Sequence, residues 1–387
     1  MQTNQIASIL NTVMGEVLGS EAIQTVDLSN VVDIGVQVEN MTTEQFTNFV
    51  TGTIDHVGRV VFVNREYMAN APRILRDGWE YGAILQKIST VLPEANENES
   101  WELVDGASYD PNIYTAPKII AKYYDKQVTF ELTMPSITRK QILGAFSNAA
   151  QLNSFYSMLY TAINNSMAVK LESLTMMLIT NAIGETIYSD YQGASVSASS
   201  GVKAVNLLKL YNDVSGTTLT AAEAMNDADF LRFTTRKLHG YIRQLGKYST
   251  KFNIGGQARF TPRDYLHVVL LGDYVDAVDS VLQSQTFHNE LTSLPYFDEV
   301  AFWQGSGTDA AFDDYSEINV KTAGGNTVNQ SGIIGVMFDR DALAIANEDM
   351  RVNTNWNPKG EFFNEWHKAD VRYLMDTNEN IVCFIVA

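Results

Sequence analysis

Residues 145–183 read AFSNAAQLNSFYSMLYTAINNSMAVKLESLTMMLITNAI, thirty-nine positions without a glycine or a proline, bracketed by Gly144 and Gly184. Leu152, Phe155, Leu159, Ile163, Ser166, Lys170, Leu174 and Leu178 follow in steps of three and four. That spacing stacks side chains on one face of an α-helix. Asn164, Asn165 and Ser166 weaken the middle without breaking the period. At a rise of about 1.5 Å per residue the run predicts a helix roughly 58 Å long, several times the globular average. Its heptads are too irregular for a coiled coil. The pattern predicts a spine laid across one flat domain.

Downstream, Gly184 to Gly201 (GETIYSDYQGASVSASSG) reads as a small-residue turn. A second helix is predicted from Asn226 to Gly246, with Leu231, Thr234, Leu238, Ile242 and Leu245 on one side and Asp227 or Asp229 as its cap. Leu266–Leu271 (LHVVLL) reads as a buried strand, Gly272 as a turn, and Asp273 as the cap of a helix reaching Phe287. Val300–Trp303, Gly332–Phe338 and Leu343–Ala346 are further strand candidates, and strands Phe362–Met375 and Ile381–Ala387 close the chain around an Asp376–Asn380 turn.

Upstream, Ile6, Ile9, Leu10, Val13, Met14 and Val17 give an amphipathic helix from Thr3 to Gly19. An extended, Val- and Asn-rich stretch is expected to about Asn40, and Thr42 with Gln45 resembles a capping box opening a short helix toward Gly52. A helix on such a tether reads as an arm that docks on its own or an adjacent subunit. Val60 to Val63 reads as a β run and Lys126 to Thr133 (KQVTFELT) as a strand, with Pro72, Pro93, Pro111 and Pro117 between them. So long an insertion reads as a functional extension. Its stem is basic at Arg59, Arg65, Arg73, Arg76 and Lys87, and its middle acidic at Glu94, Glu97, Glu99, Glu102, Asp105 and Asp110. Two readings stand: a solvated acidic loop, or a projecting hairpin whose charges pair with another copy of the chain.

Of 387 residues, 45% are hydrophobic and 19% charged, enough apolar sequence for a sizeable core. No apolar run reaches the roughly 18 residues of a transmembrane helix. Twenty-seven basic against forty-five acidic residues leave a formal charge of −18, so contact with nucleic acid must be local and non-specific. Residues 1–58 hold no Lys or Arg, which excludes a basic signal or transit segment there. The lone Cys383 excludes an internal disulfide and reads as a buried strand thiol.

The search for catalytic motifs yields near misses. Gly240 to Lys247 has the outline of a P-loop but sits late in a helix, and no Ser or Thr follows the lysine. Gly305, Gly307 and Ala310 mimic a dinucleotide turn, followed by a loop instead of a helix. His56, His239, His267, His288 and His367 show no i, i+4 pair, and Asp309, Asp313, Asp314 and Glu317 lack the spacing of a calcium loop. No cofactor, metal or catalytic residue is expected. Residues 232–263 stand out: Arg232, Arg236, Lys237, Arg243, Lys247, Lys251, Arg259 and Arg263 without an acid, interleaved with Phe233, Tyr241, Tyr248, Phe252 and Phe260. Alone, that pattern suits nucleic acid. In a chain of charge −18 it suits the acidic surface of another copy better.

This order of parts resembles the major capsid proteins of tailed double-stranded DNA phages, most closely those of small short-tailed (podovirus-type) phages. The resemblance rests on Arg59–Phe62 leading into the extension, the spine Gln151–Ile183, Asp227–Leu238, Tyr265–Leu271 and Asp349–Lys368 (DMRVNTNWNPKGEFFNEWHK). It implies an α+β fold of the tailed-phage and herpesvirus capsid type, serving as a self-assembling structural subunit of an icosahedral virion shell. The implied parts are an N-terminal arm at 1–59, an E-loop at 60–134 and a peripheral domain at 135–203 with its spine at 145–183. An axial domain at 204–345 and peripheral return strands at 346–387 complete them. Intersubunit contacts are then expected at Arg65, Arg73 and Arg76, at Glu94, Glu97, Glu99 and Glu102, at Arg232, Arg236, Lys237, Arg243 and Lys247, and along Ile6, Ile9, Leu10 and Val13. Implied partners are copies of the chain in hexamers and pentamers, a separate scaffolding protein and a portal, with assembly in the bacterial cytoplasm and no membrane. Some relatives carry a C-terminal immunoglobulin-like domain or a long N-terminal scaffold, and neither is read here. Two alternatives remain: a cargo-holding nanocompartment shell, or a hydrolase using carboxylates such as Asp313 and Glu317.

Overall fold

A computed structural model describes residues 3–63, 85–90, 105–106, 119–124, 127–133, 136–193, 196, 200–283, 297–304 and 312–387. The elements in order are α1 (Thr3–Leu18), α2 (Val31–Glu39), α3 (Thr43–Val63), β1 (Leu85–Thr90), β2 (Ile119–Tyr124), β3 (Gln127–Thr133), β4 (Ile137–Thr138), α4 (Arg139–Ala145) and α5 (Ala149–Tyr191). Then come β5 (Ala204–Asn206), α6 (Leu207–Ser215), α7 (Ala221–Ala224), α8 (Ala228–Leu245), β6 (Leu266–Leu271), α9 (Gly272–Gln283) and β7 (Asp298–Val300). The last are α10 (Phe312–Ser316), β8 (Ile318–Lys321), β9 (Thr327–Gln330), β10 (Ile333–Asp339), β11 (Leu343–Asn357), β12 (Phe362–Met375) and β13 (Ile381–Ile385). The mixture of helix and sheet is the expected α+β class.

The spine is present but shifted at both ends. A break at Phe146–Asn148 separates α4 from α5, and the Asn148 side chain accepts the Gln151 N–H to start the longer helix. Gly184 does not end it. An added Cβ there would lie 2.2 Å from Cγ2 of Val320, so glycine is what lets β8 approach the helix backbone. The helix runs on to Tyr191 and stops at Gln192, whose φ of 48° is left-handed. The buried stripe is Leu152, Tyr156, Leu159, Ile163, Met167, Leu171, Leu174 and Leu178. Tyr156, Met167 and Leu171 replace the expected Phe155, Ser166 and Lys170: steps of three and four admit either set, and in the middle of the helix the apolar Met167 and Leu171 are buried instead of the polar pair.

Two sheets lie along α5. One has the order β5-β13-β10-β6-β7, with β13 parallel to β5 and β6 parallel to β7. The other runs β11-β12-β3, with β4 also on β12. α5 touches β13, β5 and β8 as well as β11, β12 and β3, so one apolar cluster runs from Ile6 to Val386. The return expected at 346–387 is therefore divided. β12 joins the four-stranded sheet, whereas β13 lies inside the five-stranded one, buried throughout.

The arm is corrected most. Its tether is not extended, because Val31, Ile34 and Val38 recur at helical spacing and are buried in α2. The Thr42–Gln45 capping box forms, but α3 continues through the expected β run at Val60–Val63. Adding a residue to an existing helix is easy once its nucleus has formed. α1 packs on α3, and Asn11 clasps Thr25, donating to its carbonyl at 2.6 Å and accepting its N–H at 2.8 Å. Ile6, Leu10 and Val13 are fully buried and Ile9 nearly so, so the apolar face is covered by its own chain. In this fold those four residues have no area left for an intersubunit contact.

Candidate functional site

β1 and β2 form a separate antiparallel ribbon, the described base of the extension. Its charged face converges on the turn between β12 and β13. Lys87 donates to Oδ2 of Asp376 at 2.8 Å and to Oε1 of Glu379 at 2.7 Å. Lys122 donates to Oδ1 of Asp376 at 3.2 Å and to the Thr377 hydroxyl at 3.3 Å. Arg259 stands 3.5 Å from Glu379. Burial works against the Asp376 carboxylate, but the Lys87 hydrogen bond, the Asn378 N–H and the two ammonium charges outweigh it and hold its pKa below the usual value. Burial likewise opposes the Lys87 charge, and Asp376 and Glu379 reverse it, holding its pKa above the ordinary range. Burial, together with Asp376 and Glu379, pushes the Tyr124 phenol up.

Beside this cluster lies a cleft of about 280 Å³ lined by Tyr248, Phe260, Pro262, Tyr265, Asp339 and Asp341. Arg340 caps Tyr265, its guanidinium 4.0 Å from the ring centre. Burial raises the pKa of Asp339, one of its lining carboxyls.

Along α8 and just past it, Arg232, Arg236, Arg243 and Lys247 are exposed, at steps that keep them near one helical face. Asp227 caps the helix, accepting the Phe230 N–H at 2.7 Å. Arg232 pairs with Asp229 at 3.0 Å, and Lys237 is half-buried with its ammonium 5.2 Å from the Phe233 ring centre. The interleaved aromatics are mostly core: Phe233 and Phe252 are buried, and Tyr241 packs edge-on against Phe252 and Phe384. Only Tyr248 and Phe260 of the five are exposed, so the pattern is not a stacking platform for bases.

Arg65, Arg73, Arg76, Glu94, Glu97, Glu99 and Glu102 lie outside the described residues. So do Gly305 to Ala310, although the segment after them forms the one-turn helix α10 where a loop was expected. The missed residues are Lys122, Asp376 and Glu379. No local sequence pattern ties them together, because their meeting depends on the register of β1 with β2.

The remaining polar groups serve the fold. His367 contacts Glu365 inside the four-stranded sheet, His267 stacks on Phe338, and Cys383 is buried in β13. Among the described residues no group of His, Cys, Asp or Glu could hold a metal ion, and no helix is long and apolar enough to cross a membrane. The Gly240–Lys247 near miss lies in and just after α8, as expected, where its backbone N–H groups are mostly engaged in the helix.

Two sheets thus lie along one long helix, with a charged ribbon held against the turn between β12 and β13. Residues 6–385 match the Phi29-like phage major capsid proteins, and the chain belongs to that family. It is 23% identical over 348 residues to the major capsid protein of Bacillus phage GA-1, covering 87% of this chain and 60% of that protein. The chain thus spans about 60% of the length of that curated relative. A chain from the capsid structure of Staphylococcus phage Andhra overlaps 81% of this chain and 83% of its own, at 7% identity and a TM-score of 0.49. One from the capsid of the cyanophage P-SCSP1u overlaps 81% and 86%, at 12% identity and 0.46. The family assignment rests on the sequence match, and it agrees with the resemblance drawn from the order of parts.

Proposed function

We propose that the chain is the structural subunit of an icosahedral shell enclosing a double-stranded DNA phage genome, present in the virion in hexamers and pentamers. The observation that carries this reading is the family match over 6–385, nearly the whole chain. The subunit does no chemistry in this reading. A separate scaffolding protein and a portal direct its closure in the host cytoplasm. The four-stranded sheet with α5 serves as the peripheral domain and the five-stranded sheet as the axial one. β13 then belongs to the axial unit despite lying in the 346–387 return.

The extension's acidic middle, Glu94, Glu97, Glu99 and Glu102, meets the exposed stripe Arg232, Arg236, Arg243 and Lys247 of a neighbour, with Lys237 behind it and Arg65, Arg73 and Arg76 facing acids in return. The exposure of the stripe supports this. Single surface pairs contribute about 0–1 kcal/mol each, so they act by setting register at every boundary. The test is co-expression with the scaffolding protein and negative-stain microscopy. Closed shells of fixed diameter are expected, and a Glu94→Lys, Glu97→Lys, Glu99→Lys variant should stay folded but assemble poorly. A persistent monomer under those conditions would sink the shell reading. Normal shells from the triple variant at low salt would sink the charge pairing alone.

A further inference from the structure

The ribbon carries an internal conflict that the rest of the chain resolves. Lys87 and Lys122 are direct partners across β1 and β2. Directly opposed residues of an antiparallel pair share one face, and like charges there repel. Two six-residue strands alone are also a marginal structure in water. Yet both ammonium groups reach the single carboxylate of Asp376, one on each oxygen, and Glu379 takes a second bond from Lys87.

The acidic side is built into the body of the subunit. Asp376 is 1% and Glu379 8% exposed. The turn bearing them is pinned from several directions. The Asp376 N–H donates to the Ala342 carbonyl at 2.7 Å, Gly255 donates to Thr377 at 2.8 Å, and Asp339 donates to Asn380 at 3.0 Å. An added Cβ on Gly255 would fall 1.8 Å from Oδ1 of Asn378, so the 252–261 loop lies against the turn. The lysine side chains, in contrast, keep 25% and 33% of their surface in water. Water can replace the carboxylates for the lysines, but nothing comparable can loosen the turn.

We propose that the Asp376–Asn380 turn is a latch for the extension. Its two carboxylates hold the paired lysines of the ribbon and fix the direction in which the extension leaves the subunit, and it opens without unfolding either sheet. Release frees β1 and β2 together, while Asp376 and Glu379 stay where the turn holds them, with Arg259 still beside Glu379. This role does not depend on the shell-forming reading, because it concerns the isolated subunit.

The test is amide hydrogen exchange on the full chain, comparing wild type with Asp376→Asn, Glu379→Gln and with Lys87→Gln, Lys122→Gln. Peptides covering 85–90 and 119–124 should exchange at least about tenfold faster in either variant, with 333–339 and 381–385 unchanged. A Lys87→Glu, Glu379→Lys exchange of charges should recover part of the protection. Ribbon protection equal to wild type in both folded variants would overturn the latch. Loss of protection in ribbon and central sheet together would overturn it too, as would failure of both variants to fold, since either makes these pairs part of the core. If only the carboxylate variant fails to fold, the lysine variant decides.

Discussion

Replacing Gly184 by alanine sets two effects of known sign against each other inside α5. Glycine in a helix interior is about 1 kcal/mol worse than alanine, so on backbone grounds the change stabilises. The packing says otherwise, because the new Cβ would stand 2.2 Å from Cγ2 of Val320. Carbon atoms rest about 3.5–4.0 Å apart, so β8 must retreat by more than roughly 1 Å. Val320 is 6% exposed and pairs with Val328 across the separate β8–β9 hairpin, and its branched side chain has little rotamer freedom with which to yield. Overpacking of this kind costs about 1–3 kcal/mol, which leaves Gly184→Ala destabilising by about 1 kcal/mol net. Removing the obstructing methyl should reverse the sign. In a Val320→Ala background, Gly184→Ala should stabilise by up to about 1 kcal/mol, although Val320→Ala alone is destabilising. The assay is urea unfolding followed by far-ultraviolet circular dichroism for the four chains of the cycle. Equal stabilisation by Gly184→Ala in both backgrounds would refute the close approach of β8 to the helix.

Leu10→Ala should cost about 2–5 kcal/mol, since Leu10 is fully buried in α1, which packs on α3; an unchanged unfolding midpoint would mean that α1 is not packed on its own chain. Asp227→Ala should cost about 1 kcal/mol through the lost cap of α8, and Asp227→Asn much less, by the same unfolding measurement. Burial, with a smaller contribution from Asp190, raises the Cys383 pKa. Alkylation of Cys383 should therefore follow the rate of unfolding, and rapid stoichiometric labelling of the native chain would contradict its placement. Because the folded pKa of Asp376 lies below the unfolded value of about 3.9, its stabilising contribution is complete above that value and is lost as pH falls through the lower folded pKa. The stability difference between wild type and Asp376→Asn should thus be flat from about pH 5 to 8 and shrink only below about pH 4. Shrinkage between pH 5 and 8 would assign the effect to another group.

The elements legible in the sequence were those whose hydrophobic period is set by a single neighbour layer. Leu266–Leu271 and Phe362–Met375 match β6 and β12 end for end. Where two signals competed, tertiary packing decided. Gly184 punctuates a helix on paper, but in the fold it is the contact point for β8. Val60–Val63 has the residues of a strand and continues α3. α2 was hidden because Val32 and Val36, exposed on its other face, blur the helical period of Val31, Ile34 and Val38. Of the candidate site, the basic stripe on α8 was legible as charge, but its aromatics were read as a surface when Phe233 and Phe252 are core. The latch was out of reach, since no local pattern tells which strand register brings Lys87 opposite Lys122 or which turn lies beneath them.

The position of β13 between β5 and β10 has a consequence for how the chain is made. β5 is synthesised at 204–206, but its parallel partner does not exist until 381–385 has been translated. At roughly 5–20 residues per second that interval lasts roughly 10–35 s. During it β10 can pair with β6, but its other edge stays open, and β5 has no strand beside it. A nascent chain therefore cannot complete its five-stranded sheet, and a ribosome that stalls before residue 381 releases a product with two unpaired strand edges. The last strand to be made is thus the one that closes the sheet.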